Sequence, residues 1–311
     1  DMASVYNGIF GVFQGLGIKG VLFHPGYNNA ISSNCRPKRD RELTRHMIEG
    51  IREDFNAPDL PFGIIGLCAG GDAQNEDNFE ALSHDGGPYI REAQRLGLAD
   101  VENQTNLMFL PAYDVKVPGL HPGKKREHGV RAARWAVAKI YPEVRAEWPE
   151  VKMLSAKPQG DEFILTFEAS VVDDTRSSIP QGFSIAGMDG KFYMAHARYD
   201  AKGGHPSKRY NVIRVWSPLV EQPVAIRYAW ARAPMGNLKH VAHPDRPFPS
   251  FRTDQWDYPE NDDPTVSAVG RGEQNERKAD AAARLESRRT GEAKHGEEIL
   301  QRIENLQRIA E

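Results

Sequence analysis

Residues 60–68 read Leu-Pro-Phe-Gly-Ile-Ile-Gly-Leu-Cys, an apolar run with no charge and no alternation. Alternation marks a strand wetted on one face. Its absence over so short a span suits a strand covered on both faces, as in a parallel sheet. Upstream, Ile18 to Phe23 (IKGVLF) is a compact, mostly apolar run, and downstream Leu107 to Ala112 (LMFLPA) is another. The stretches around them carry helical spacing. Arg39 to Phe55 places Leu43, Met47, Ile48 and Ile51 on one side. Pro88 to Leu98 has proline near its start. Val130 to Tyr141 turns Ala132, Trp135, Ala136 and Ile140 inward. Strand and helix in alternation predict an α/β fold, a parallel sheet with helices on both faces. Ahead of it, Tyr6 to Leu16 reads as a short helix ended by Gly17.

Beyond residue 148 the pattern changes to short runs rich in β-branched and aromatic residues. Phe163 to Phe167, Gly182 to Ala186, Phe192 to Tyr199, Val212 to Trp216 and Val224 to Trp230 are strand candidates. Pro-Gln-Gly at 158–160, Asp-Gly at 189–190 and Gly-Gly at 203–204 punctuate them as turns. The expected organisation is an α/β unit over 1–148, a small β-sandwich-like unit over 149–240, a Pro- and Asp-rich linker over 241–270 and a charged helix over 271–311. In that last segment Ile299, Ile303 and Leu306 form a narrow stripe, fitting a solvated helix or a short coiled coil through which the chain self-associates; a flexible tail is the alternative.

Composition narrows the function classes. The chain has 311 residues, which at roughly 150 per domain means about two folded units. No apolar run approaches the ~18 residues that span a bilayer. A formal charge of -3 gives no broad basic face for nucleic acid. Cys35 and Cys68 lie in no CxxC pair, so no metal site is expected, and no motif calls for a cofactor. The two thiols are read as buried and unbridged, with a disulfide as the alternative in an exported protein. The N-terminus has no charged and apolar leader pattern. Either the domain begins there or something before it has been removed.

Two loops can carry chemistry, both at the carboxyl ends of predicted strands, where open parallel sheets bind ligands. The first is Phe23-His24-Pro25-Gly26-Tyr27-Asn28-Asn29-Ala30. Gly26 followed by Asn28 and Asn29 can aim a backbone N–H and a side-chain amide at one point, the requirement for stabilising an oxyanion. The second is Asp114-Val115-Lys116-Val117-Pro118-Gly119-Leu120-His121-Pro122, where Asp114 and His121 offer an orienting carboxylate and a general base. Each alone also reads as an ordinary surface turn. Gly70-Gly71 lacks the spacing of a phosphate loop, and His24 and His46 have no carboxylates at metal-ligand spacing.

At these loops the chain resembles the sialate O-acetylesterase-like branch of the SGNH hydrolases. The segment FHPGYNNA stands where that family has a WYQGESNA-type motif. Leu60-Pro61-Phe62 resembles its next strand, and Arg91-Glu92-Ala93-Gln94 its REAQ helix. His121, Pro122, Lys124, Gly129, Arg131, Ala133, Ala136 and Tyr141 match a further helical block. GFSIAGMDGKFYMAHA, VAIRYAW, PMGNL and SFRTDQW resemble the β-rich C-terminal part. The likeness spans about residues 5 to 256, and its force lies in the order of the motifs. It implies a partial SGNH-type three-layer α/β/α domain and hydrolysis of acetyl esters on a carbohydrate. It places the catalytic histidine at His121 and the motif glycine at Gly26, and it implies a secreted or periplasmic protein.

Three departures accompany it. The family's nucleophilic serine lies in a segment that would precede residue 1. The position three before His121, where the family often has aspartate, is Pro118, leaving Asp114 as the nearest substitute. The motif's Gln and Glu are Pro25 and Tyr27. Two readings follow: an esterase whose serine comes from an N-terminal segment, with this stretch inactive without it, or a non-catalytic carbohydrate-binding or structural relic of the esterase fold.

Overall fold

The structure is a computed structural model. It describes residues 7–8, 10–30, 35–67, 70–83, 86–115, 125–141, 143–148, 150–168, 171–173, 179–200, 211–240, 243–257 and 271–310. Its first unit is a three-stranded parallel sheet of β1 (Val21–Phe23), β2 (Phe62–Ile65) and β3 (Leu107–Leu110), in that order. Helices α1 (Pro37–Asp54), α2 (Phe79–Leu82), α3 (Gly86–Ala99) and α4 (Arg126–Ile140) connect and cover it. The uncharged run at 60–68 becomes the central strand, buried at every position.

Successive strand residues alternate between the two faces. Phe62 and Ile64 pack with Ile48 and Ile51 of α1 and Leu98 of α3. Ile65, Met108 and Leu110 pack on the other side with Ala132 and Trp135 of α4. Helices α1 and α3 touch at Gly97, where any Cβ would stand 2.4 Å from the Arg41 carbonyl oxygen, so only glycine permits this approach. β1 was expected to be buried on both faces, but Leu22 is 52% exposed. Among the described residues β1 pairs with β2 alone, at the edge of the sheet. Of the helix expected over Tyr6–Leu16, Asn7 and Gly8 are helical and Gly11–Phe13 form a 3-10 turn, while Tyr6 and Ile9 lie outside the described residues. Gly11 and Gly15 weigh against a continuous helix beyond Gly8, each costing about 1 kcal/mol in a helix interior relative to alanine.

The second unit is antiparallel. Its strands are β4 (Met153–Gln159), β5 (Glu162–Phe167), β6 (Val171–Asp173), β7 (Phe183–Ala186), β8 (Tyr193–Tyr199), β9 (Val212–Trp216), β10 (Ala225–Tyr228), β11 (Leu238–His240), β12 (His243–Pro247) and β13 (Phe251–Arg252). One sheet runs β13-β10-β7-β8-β9-β5-β4 and a smaller one β12-β11-β6. Leu238 joins Phe163, Leu165, Ile185, Ile213 and Tyr228 in one core. The turns read at 158–160 and 187–190 close the β4–β5 and β7–β8 hairpins, with Gly160 at φ 64° and Gly190 at φ 70°. The Gly-Gly turn at 203–204 lies outside the described residues. The segment 243–252, expected within a linker, instead supplies β12 and β13, which pair with β11 and β10.

The final helix, α5 (Arg271–Ala310), is 40 residues long. Expected as solvated, it is docked along its middle. Arg288 Nε lies 3.1 Å from Glu80 of α2, with both side chains buried. Arg289 pairs with Asp77, and Glu292 lies 3.5 Å from His196 of β8. Only beyond this do Ile299, Leu300, Ile303 and Leu306 stand exposed. No helix among the described residues is long and apolar enough to cross a membrane. Cys35 is buried, its thiol donating to the Gly86 carbonyl at 3.8 Å; Cys68 lies outside the described residues.

Candidate active site

The REAQ run on α3 organises the molecule around one rim of the parallel sheet. Arg91 is almost fully buried and donates to the carbonyls of Ala229 (3.0 Å) and Arg232 (3.2 Å) in the β unit. Glu92 accepts from Arg252 Nε at 2.8 Å. Gln94 faces the parallel sheet. Its Oε1 accepts from Leu67 N–H just past β2, and its Nε2 donates to Pro25 O just past β1, each at 3.1 Å. One buried amide thus fixes the turn at 24–30 to the end of the central strand.

Gly26 sits in that turn at φ 111°, a conformation L side chains rarely adopt. A Cβ there would also lie 2.7 Å from Gln94 Nε2. Ala30 N–H closes the turn by donating to Gly26 O at 3.0 Å. The Gly26 N–H makes no hydrogen bond to any described residue, so it remains available as a donor. Asn28 is exposed. Asn29 is partly committed, because its Nδ2 donates to Asp40 Oδ1 at 2.8 Å.

The loop after β3 and this turn share one support. Tyr27 and Val115 pack on the same cluster beneath the rim. His24 packs against His128, in the first turn of α4, with ring centroids 5.1 Å apart and the rings tilted by 56°. His24 Nε2 and both ring nitrogens of His128 are buried with no hydrogen-bond partner among the described residues. Burial, with the charges of His128 and Lys125, pushes the His24 imidazole down to about 4. Burial and Arg131 lower His128 in the same direction. Both rings are therefore neutral at neutral pH. On α4, His128, Arg131, Ala132 and Trp135 form one buried stripe at helical spacing.

Asp114 is 15% exposed and held by two cations. Arg131 grips it with two hydrogen bonds of 2.8 and 2.7 Å, and Lys239 of β11 adds a third at 2.7 Å. Burial alone would raise this carboxyl, but Arg131 and Lys239 outweigh it and hold it below the usual carboxylate range. A carboxylate has about four acceptor positions, so one remains. His121, the expected base, lies outside the described residues, as do its neighbours from 116 to 124. Of the expected site residues, the structure therefore describes Gly26, Asn28, Asn29 and Asp114. Sequence reading did not assign Gln94, His128, Arg131 and Lys239 to the site. Gln94 was visible in the REAQ run and His128 in the helical stripe; Lys239 comes from a distant strand and carried no local signal. Among the described residues, no group of three or more His, Cys, Asp or Glu could hold a metal ion.

These features define a mixed α/β protein in which a glycine turn and an aspartate loop adjoin at one rim of a parallel sheet, with an antiparallel β unit fastened beside them. A carbohydrate acetylesterase from Xanthomonas citri has a similar solved structure, with a TM-score of 0.63 and 28% sequence identity over 78% of this chain and 52% of that one. The chain thus spans about half the length of that esterase. No protein-family model and no curated protein matches the sequence.

Proposed function

We propose that the chain is the back half of a carbohydrate O-acetylesterase, an SGNH-type hydrolase resembling the sialate O-acetylesterases, secreted or periplasmic like them. The observation that carries this reading is the contact of His24 with His128. It brings the glycine turn to the first turn of α4, the helix that directly follows the segment bearing His121. The similarity to a carbohydrate acetylesterase supports the same chemistry.

In this mechanism a serine from a segment N-terminal to residue 1 attacks the acetyl carbonyl, and His121 takes its proton. Asp114 steadies the imidazole through its remaining acceptor position. The Gly26 N–H, with Asn28 or Asn29, stabilises the oxyanion. Collapse breaks the bond to the sugar oxygen, which leaves with the proton from His121. Water, deprotonated by His121, then releases acetate from the acetyl-serine. The test is acetate release from O-acetylated sugars and p-nitrophenyl acetate by the chain carrying its upstream serine segment. Activity that His121→Ala abolishes is expected. Inertness of the extended protein towards every ester would overturn the proposal.

A second reading, a carbohydrate-binding relic, is favoured by Pro118 and by the commitment of most of Asp114 to Arg131 and Lys239. Glycan binding without hydrolysis by the extended protein would select it.

A further inference from the structure

The two edges of the parallel sheet differ. Beyond β3 the β unit stands across a groove lined by Trp148, Val151, Arg246 and Phe248. Beyond β1 no described residue pairs. In a parallel ladder, alternate residues turn their N–H and C=O groups to opposite sides. Val21 N donates to Pro61 O at 2.8 Å, so Val21 faces β2 and Leu22 turns its N–H and C=O outward. A free edge of this kind is a template for another strand.

The surface beside this edge is apolar. Val12, Phe13 and Leu16, in the segment that runs into β1, and Leu22 itself are each half or more exposed, and Ile18 is over a third exposed. The segment is anchored: Phe10 packs with Ile48 and Phe62 in the core, and Gln14 Nε2 donates to Asp54 Oδ1 of α1 at 3.3 Å. Apolar residues scattered singly are ordinary on a surface, whereas a run of them beside an unpaired strand marks an interface.

Two observations select the occupant. The match to the acetylesterase covers only 52% of that protein, which has nearly as much chain again to place around the shared part. And β1 runs directly into the turn at 24–30, so a strand laid parallel on β1 ends beside Gly26. Open parallel sheets carry their chemistry at that end.

We propose that a strand of the serine-bearing segment adds to β1 as a fourth parallel strand, with the apolar residues at 12–22 as the seat of the helix that connects it. Parallel neighbours need such a crossover, usually helical, of about a dozen or more residues. What the added strand carries rests on the esterase reading; where it docks rests on the edge.

The test compares hydrogen exchange in residues 1–311 and in the chain carrying its upstream segment. The Leu22 amide should exchange about a hundredfold or more slowly in the longer protein. The Phe62 amide, paired with Asn106 O in both, should change far less. Val12→Asp with Phe13→Asp should leave the melting temperature of residues 1–311 within about 2 °C, since both side chains are exposed. In the longer protein the same pair should return Leu22 exchange to within about tenfold of its rate in the shorter one. A longer protein inert towards every ester, but with Leu22 protected, would remove the esterase reading and support the docking edge. Acetate release with Leu22 exchanging as fast as in residues 1–311 would overturn the docking edge and leave the esterase reading standing. So would light scattering that shows residues 1–311 as a dimer with Leu22 already protected, the mark of a second copy on this edge.

Discussion

Replacing Gly26 by alanine probes the turn on which the oxyanion reading depends. Two costs add. The backbone at φ 111° is strained for any residue with a Cβ, by about 1–3 kcal/mol. The new methyl would stand 2.7 Å from Gln94 Nε2 and 3.1 Å from Ile90 Cγ2. Gln94 is 2% exposed and bonded at both ends, so it cannot swing aside without releasing Leu67 N–H or Pro25 O. Each lost hydrogen bond costs about 1 kcal/mol. Urea unfolding should therefore show a loss of about 2–4 kcal/mol. Gln94→Ala removes the collision and the two hydrogen bonds together but leaves the strain. In the double variant the costs should accordingly fall short of the sum, with a coupling of about 1 kcal/mol. Gly26→Ala within about 0.5 kcal/mol of the parent, or strict additivity with Gln94→Ala, would refute the reasoning.

Asp114→Asn should destabilise by about 3 kcal/mol in urea, because it leaves the buried Arg131 and Lys239 short of their counter-charge. For the same reason, the stability Asp114 contributes is present above its unfolded value near 4 and is lost as pH falls through the lower folded value. His24 works in a higher window. Its folded value near 4 lies below the unfolded 6.5, so stability is full above pH 6.5 and falls between 6.5 and 4. For a half-buried ring, screening reduces this to about 1–2 kcal/mol. The urea midpoint at pH 7 and 4.5 should show that share missing in His24→Gln. Arg288→Met should cost about 3 kcal/mol by stranding buried Glu80, read by the melting of α5 in hydrogen exchange. Deleting residues 293–311 should leave the melting temperature within about 2 °C, and light scattering before and after will show whether Ile299, Ile303 and Leu306 hold copies together.

The fold was legible wherever one simple pattern ruled a segment. The apolar runs became β1, β2 and β3, and the helical stripes became α1, α3 and α4. Reading failed where an edge relaxes the pattern. β4 contains Ser155, Lys157 and Pro158, tolerated because it ends the seven-stranded sheet and pairs on one side only. β12 and β13 also end their sheets, and Pro244, Pro247 and Pro249 around them read as linker for that reason. At the site, Gly26 was legible because a turn needing positive φ restricts the residue. His24 was set aside by asking only whether it could bind metal, while its partner is another imidazole far along the chain. Asp114 was legible as an acid, but its hold by Lys239 arises from the docking of two units and leaves no trace in local spacing.

Three neighbouring residues of α3 are each tied to a different place: Arg91 to the chain at 229–232, Glu92 to β13, and Gln94 to the ends of β1 and β2. A helix clamped so closely along its length cannot roll at one clamp and stay still at the others. The β unit therefore cannot tilt against the parallel sheet without dragging the glycine turn, and the separation of the two units and the aim of the Gly26 amide behave as a single mechanical coordinate.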